Sequence, residues 1–402
     1  MPTGTSIPVS ARVNAFSYAI RNIVAEARKV EAGGRKVQYL NIGDPVQFGF
    51  RTPPHLIEAV ERAMRDGQNG YVASAGIEPA RRAVADEYTR RGMPVSPDRV
   101  VITQGTSEGI ELALSVLVNP GDEVLVPTPN YPLYTALLAK LGARAVYYRT
   151  DPEQHWQPDL ADIRRQTTAA TRALVVIDPN NPTGAVYPES TRRALIEFAD
   201  SAGITILADE VYGDVSFDGP TPLLGSLAPD APILSFSSLS KAYLAPGWRT
   251  GWLVVGRSPR LDEVLTAVRK MADGRLCSAG PMQYAVAPAL EGDRSHQLEF
   301  ASALRTRAEL TSRRLNAIAG MRCVTPRAAF YAMPQVQLPP GRTDEDYVLG
   351  LLRAAGILCV YGSGFGMPAD QGYFRIVFLA SPAELDSIYD RMRDFTADFL
   401  RG

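Results

Sequence analysis

The sequence predicts an α/β protein, a large domain on a mostly parallel seven-stranded sheet flanked by helices, with a smaller α+β domain beside it. Two observations carry that expectation. Between residues 99 and 256, short apolar runs alternate with longer segments of helical period. A strand covered by helices on both faces reads as an unbroken apolar run, so this alternation marks a largely parallel sheet. Beyond residue 299 the pattern changes to a long helix, several short strands and a closing helix.

The strands are expected at 99–103 (RVVIT), 122–127 (DEVLVP), 143–148 (ARAVYY), 172–177 (RALVVI), 204–209 (ITILAD), 232–237 (PILSFS) and 252–256 (WLVVG). Most are separated by helical segments, such as 109–118 (GIELALSVLV) and 190–203 (STRRALIEFADSAG). Only a short loop joins the last two strands, which leaves room for one of them to run antiparallel. In the C-terminal lobe a helix over 299–318 leads to short strands near MRCVT, AAFYAM, ILCVY and FRIVFL, and a last helix covers roughly 382–400. The expected large domain spans residues 48–290. The small domain combines residues 1–47 with 291–402.

Composition excludes several classes of function. The 402 residues are 46% hydrophobic and 21% charged, with a formal net charge of −1. That balance argues against nucleic acid or an anionic membrane as partner. No apolar run of ~18 residues suggests a membrane span, and the first residues lack the apolar core of a secretory leader. The three cysteines, Cys277, Cys323 and Cys359, and three histidines, His55, His155 and His296, show no metal-ligand spacing. A cytoplasmic protein with reduced thiols and no metal is expected.

Lysine is scarce. Only Lys29, Lys36, Lys140, Lys241 and Lys270 occur among 42 basic residues. Where positive charge alone is needed, this chain uses arginine. Lys241, in SFSSLSKAYLAPGWRTGW, therefore suggests a need for an amine that can lose its proton. A solvated loop lysine is the alternative. Loops at the carboxyl edge of a parallel sheet gather ligand-binding groups, and several candidates fall there. Gly105, Thr106 and Ser107 open a helix and suit either an anion site or an ordinary cap. Asn181, in PNNPTG, can donate an amide hydrogen or merely form a turn. Asp209 and Tyr212, in ADEVYG, can meet a protonated nitrogen and a phenolate, although Asp at a strand end is commonly a cap. Arg249 can bind an anion or form a surface ion pair. Arg375, among apolar residues in YFRIVFLA, needs an anion if buried, either a ligand carboxylate or a structural acid.

Together these residues suit pyridoxal phosphate, which offers an aldehyde, a pyridine nitrogen, a phenolic oxygen and a phosphate. At this point the chain resembles the pyridoxal-phosphate-dependent aminotransferases of fold type I, classes I and II, and within them the prokaryotic alanine aminotransferases. The resemblance runs through YAIRNIV, LNIGDPV, DPNNPTG, DEVYG, SLSKAYLAPGWR, RLC at 275–277 and GSGFG…FRIVFL. It implies that Lys241 forms the Schiff base and acts as the base, Asp209 pairs with the pyridine nitrogen, and Tyr212 and Asn181 contact the phenolic oxygen. Tyr131 would stack on the ring. Gly105, Thr106, Ser107, Ser238, Ser240 and Arg249 would hold the phosphate. Tyr71 would reach the phosphate of a neighbouring subunit, which implies a homodimer. Arg375 would clamp the substrate α-carboxylate, assisted by the Gly43 backbone, with Asn181 close by. Tyr18 and Arg21, three apart on a helical pattern, would face the substrate side chain. Two departures stand out. Ala328-Ala329-Phe330-Tyr331 occupies a stretch where the family often has Gly-Ala-Phe-Tyr, and Asp178 replaces the commoner Asn before Pro-Asn.

The implied reaction is transamination between a small L-amino acid, alanine foremost, and a 2-oxo acid such as 2-oxoglutarate or pyruvate. A C–S lyase, a cyclopropane-forming synthase or a decarboxylase shares the cofactor and fold. A non-catalytic pyridoxal-phosphate sensor would need a DNA-binding module, and only about 40 residues precede IGDP. A nicotinamide enzyme would show Gly-x-Gly-x-x-Gly between a strand and a helix, which this sequence does not.

Overall fold

The computed structural model of the chain describes residues 7, 9, 10, 12–15 and 23–401. Its main sheet has eight strands. Their order across the sheet is Val100–Thr103, Gly251–Val255, Ile233–Ser238, Thr205–Asp209, Thr171–Ile177, Glu123–Thr128, Arg144–Asp151 and Gln157–Pro158. Seven match the expected strands within a few residues. The eighth, Gln157–Pro158, is a two-residue antiparallel edge whose brevity leaves no apolar run to read.

The five strands from Ile233–Ser238 to Arg144–Asp151 pair in parallel. Gly251–Val255 runs against both of its neighbours, so the antiparallel strand is the one that follows the lysine loop. Buried Val, Ile and Leu side chains from alternate faces of these strands enter two separate apolar clusters, with helices packed over each. Among the covering helices are Thr106–Leu117, Pro132–Leu141 and Glu189–Ala202.

The remaining strands form small sheets. Tyr331–Ala332, Phe374–Val377 and Val360–Tyr361 make a three-stranded antiparallel sheet. Gln38–Tyr39 pairs in parallel with Ile357–Leu358 of the C-terminal lobe. Helix Ser295–Asn316 buries Phe300, Leu304, Ala308, Thr311 and Leu315, an apolar stripe at spacings of three and four. Pro382–Phe399 starts at a capping box in which Ser381 and Glu384 satisfy each other's backbone N–H groups. Among the described residues, no helix is long and apolar enough to cross a membrane, and no group of acidic, His or Cys side chains can hold a metal ion.

Candidate functional site

Strand direction brings the site together. Thr103, Ile177, Asp209 and Ser238 close their strands at one edge of the sheet, where Asp209 pairs laterally with Ile177 and Phe236. Because Gly251–Val255 runs the other way, its amino end reaches that same edge, with Gly251 opposite both Thr103 and Ser238. Arg249 is thereby delivered beside Gly105 although 144 positions separate them in the sequence.

The start of helix Thr106–Leu117 is built for an anion. No side chain caps it, so its first N–H groups point outward unpaired. Gly105 has φ +73°, and a Cβ there would lie 2.4 Å from a guanidinium nitrogen of Arg249. Glycine is required for that close approach. Arg249 donates to the Pro246 and Gln104 carbonyls at 3.1 and 3.3 Å and stays exposed. The Thr106 hydroxyl is buried without a hydrogen-bond partner. Ser107 opens the same helix, half-buried. Ser238 is buried and its hydroxyl oxygen accepts from the Ser240 N–H at 3.3 Å.

Asp209 lies 3% exposed at its strand end and accepts from the Tyr134 hydroxyl at 3.2 Å. Burial raises its carboxyl to about 6, against the lowering effect of Tyr134 and the Val211 N–H. Tyr212 is buried with its hydroxyl 2.9 Å from that of Tyr331. Burial and Tyr331 push the Tyr212 phenol well above its ordinary value. Tyr131 lies close enough to Tyr134 and Tyr212 for its charge to act on both.

Arg375 is 2% exposed. It donates to the Asn181 amide oxygen at 3.2 Å and to the Asn41 carbonyl, and its guanidinium carbon lies 4.7 Å from the Tyr331 ring centroid and 4.9 Å from that of Phe365. Lys241 is half-buried and donates to the Gly43 carbonyl at 2.7 Å. Desolvation lowers its ammonium to about 8; Asp44 opposes that effect, while Arg249 and Arg375 add to it.

The groups fit pyridoxal phosphate. An uncapped helix start, an orphaned buried hydroxyl and an arginine suit a phosphate, a buried carboxylate suits a protonated ring nitrogen, and a readily deprotonated amine suits an aldehyde. Lys241, Tyr212, Asn181 and Arg375 are joined by direct contacts or by one intervening side chain, and Asp209 closes its strand at the same edge of the sheet as Ile177. Tyr71 stands 84% exposed on the surface. Tyr18 and Arg21 lie outside the described residues. The Gly43 carbonyl, an acceptor, faces the Lys241 amine. Sequence reasoning did not single out Tyr134 or Asn41 for the site, and noticed Tyr331 only within a departure from a motif. Tyr134, three residues after Tyr131 at the start of a helix, was the available signal. Asp178 accepts from the Arg192 side chain at 2.6 Å and from the Tyr187 N–H at 3.1 Å, anchoring the loop that presents Asn181.

A family model described as "Aminotransferase class I and II" matches residues 35–392. The glutamate-pyruvate aminotransferase AlaA of Haemophilus influenzae is 36% identical over 401 residues, covering 98% of each chain. The solved structure of an alanine aminotransferase from Pyrococcus furiosus superposes with a TM-score of 0.94 at 39% identity, covering 97% of this chain and 100% of its own. An aspartate aminotransferase from Thermus thermophilus, solved with maleate, gives 0.88 at 30% identity, covering 97% and 100%.

Proposed function

The chain belongs to the class I and II aminotransferases, and within that family we propose that it exchanges the amino group of alanine with 2-oxoglutarate, through the residues described above. It is a transferase, and its cofactor is pyridoxal 5′-phosphate. The alanine assignment is supported by the relatives named for alanine or for glutamate and pyruvate. A fold shared with an aspartate enzyme shows that architecture alone does not choose the substrate.

When bound, the cofactor supplies an aldehyde for the amino group and a conjugated ring that takes up the electron pair left at the substrate Cα. Lys241 would supply the amine that holds the aldehyde and, when that amine is free, would move the substrate's Cα proton. An ammonium near 8 leaves roughly one lysine in ten neutral at pH 7, against fewer than one in a thousand for a free lysine. Asp209, as a carboxylate, keeps the ring nitrogen protonated, and Tyr134 holds that carboxylate in place. Tyr212 and Asn181 donate to the phenolic oxygen. Tyr131 covers the ring. Gly105, Thr106, Ser107, Ser238, Ser240 and Arg249 bind the phosphate.

Arg375 receives the substrate carboxylate through parallel N–H groups, as its planar fork allows. In this reading Tyr18 and Arg21 serve recognition of the substrate side chain, Arg21 that of the distal carboxylate of the dicarboxylic partner. Tyr71 serves the phosphate site of a second copy, so the working unit is a homodimer. The division into residues 48–290 and 1–47 with 291–402 is part of this reading, supported by the separate sheets. So is a cytoplasmic location, supported by three free cysteines.

Lys241 carries the reading, as an amine whose ammonium is destabilised among groups that match the cofactor. Purified enzyme with alanine and 2-oxoglutarate should release pyruvate and glutamate in equal amounts. Borohydride reduction should fix the cofactor onto Lys241, located by peptide mass. Lys241→Ala should still bind cofactor yet lose sustained turnover. Label on another lysine, or pyruvate formed without a 2-oxo acid acceptor, would overturn the reading.

A further inference from the structure

Tyr331 touches two groups with different tasks. Its ring lies against the Arg375 guanidinium at 4.7 Å, and its hydroxyl lies 2.9 Å from that of Tyr212. We propose that Tyr331 is a positioning residue with two separable functions: its ring seats Arg375 for the substrate carboxylate, and its hydroxyl turns the Tyr212 proton toward the cofactor's phenolic oxygen. This rests on the roles given above to Arg375 and Tyr212.

The ring function follows from the shape of guanidinium. Its N–H donors lie in its plane, so an aromatic ring against its face fixes orientation while leaving the donors for a ligand. Arg375 has such contacts to both Tyr331 and Phe365. Its bonds to Asn181 and Asn41 hold two nitrogens, and the rings fix the plane.

The hydroxyl function follows from counting protons. Each phenol has one. If Tyr212 donated to Tyr331, it would have none left for a ligand oxygen. With Tyr331 as donor, the Tyr212 oxygen accepts and its proton points onward, in a chain whose bonds strengthen one another. Tyr131 and Arg375 also act electrostatically on Tyr212. Gly43 leaves room for the Tyr331 hydroxyl, since a Cβ there would lie 2.2 Å from it.

Two variants separate the functions. Tyr331→Phe keeps the ring, and Tyr331→Leu removes it. In the holoenzyme of Tyr331→Phe, the pH midpoint of the visible absorbance should move up, by about half a unit to one unit. A weaker donor stabilises the phenolate oxygen less, which raises the pH at which it loses its proton. The cofactor dissociation constant should rise about three- to tenfold, the range of one hydrogen bond, with KM for alanine within twofold of wild type. Tyr331→Leu should raise KM for alanine about tenfold, a cation–π contact's worth, and Phe at this position should restore it.

A wild-type midpoint and cofactor affinity in Tyr331→Phe would overturn the hydroxyl function. A KM raised equally by Phe and Leu would overturn the ring function. Tyr212→Phe is the control that separates failures. If it moves the midpoint while Tyr331→Phe does not, the proposal alone fails. If neither moves it, the role of Tyr212 fails as well. Arg375→Lys serves likewise for the ring function: an unchanged KM there would remove the clamp itself.

Discussion

Adding one methyl group at Gly43 should disable the enzyme while leaving it folded. In Gly43→Ala the new Cβ would lie 2.2 Å from the Tyr331 hydroxyl oxygen and 2.5 Å from a Phe330 ring carbon. Ordinary contact begins near 3.4 Å, so something must yield by about 1.2 Å. If the tyrosine yields, its 2.9 Å bond to Tyr212 is stretched beyond hydrogen-bonding distance and its ring leaves Arg375. If residue 43 yields, its carbonyl moves away from the Lys241 amine, now 2.7 Å distant. Overpacking of this kind costs about 1–3 kcal/mol, enough to lower the thermal midpoint by a few degrees. Displacing a positioned group by roughly 1 Å costs about a hundredfold in rate. Steady-state kinetics with alanine, beside thermal melts of the apoprotein, reads both effects. Gly274→Ala is the control, since a Cβ there meets nothing within 4 Å. Gly43→Ala with kcat/KM within twofold of wild type would refute the reasoning.

Asp209→Asn should keep the Tyr134 contact and the fold but lose turnover by on the order of a hundredfold or more, as happens when a buried electrostatic partner of a transition state is removed; turnover near wild type would contradict the role of the carboxylate. Arg375→Lys should lower kcat/KM for alanine and 2-oxoglutarate alike by about tenfold to a hundredfold, the range of charge-assisted hydrogen bonds; a loss confined to one substrate would show that the arginine does not grip the carboxylate both share. Lys241→Met should stabilise the apoprotein near neutral pH. The folded-state ammonium titrates near 8 and the unfolded one near ~10.4, so the native state binds fewer protons between those values and wild-type stability rises with pH there. The advantage of the Met variant should therefore be largest below pH 8 and fade toward pH 10.4. Melting curves across that interval test it, and a variant no more stable than wild type at pH 7 would refute it.

The sheet was legible because six of its seven longer strands are buried on both faces and so form nearly continuous apolar runs, while the half-exposed Arg144–Asp151 still carries a short apolar run at residues 145–148. Gln157–Pro158 carries no such run, and the paired dipeptides of the small lobe were placed only by the apolar segments around them. In the site, Lys241 stood out through its rarity, and Asp209 and Asn181 through their place after strands. Tyr134 and Tyr331 did not stand out, since an aromatic residue in an apolar stretch reads as core until its hydroxyl is found facing Asp209 or Tyr212. Their roles depend on contacts across 75 and 119 positions of sequence, which no local pattern contains. Asp178, noted in the sequence only as a departure from the commoner Asn, is half of a buried ion pair with Arg192, and a pair between distant residues leaves no mark in the spacing of either.

The bonds from Arg375 to the Asn41 carbonyl and from Lys241 to the Gly43 carbonyl join residues 334 and 198 positions apart. During synthesis, Arg375 cannot take its final place until the ribosome has released nearly the whole chain, because its strand is among the last elements to emerge, whereas Lys241 needs only about the first two-thirds. Contacts of such long separation form late and slowly. Substrate binding, unlike cofactor binding, therefore waits on the last strand: a chain interrupted before residue 375 already holds every residue proposed here for the phosphate but lacks the arginine proposed to take the substrate carboxylate.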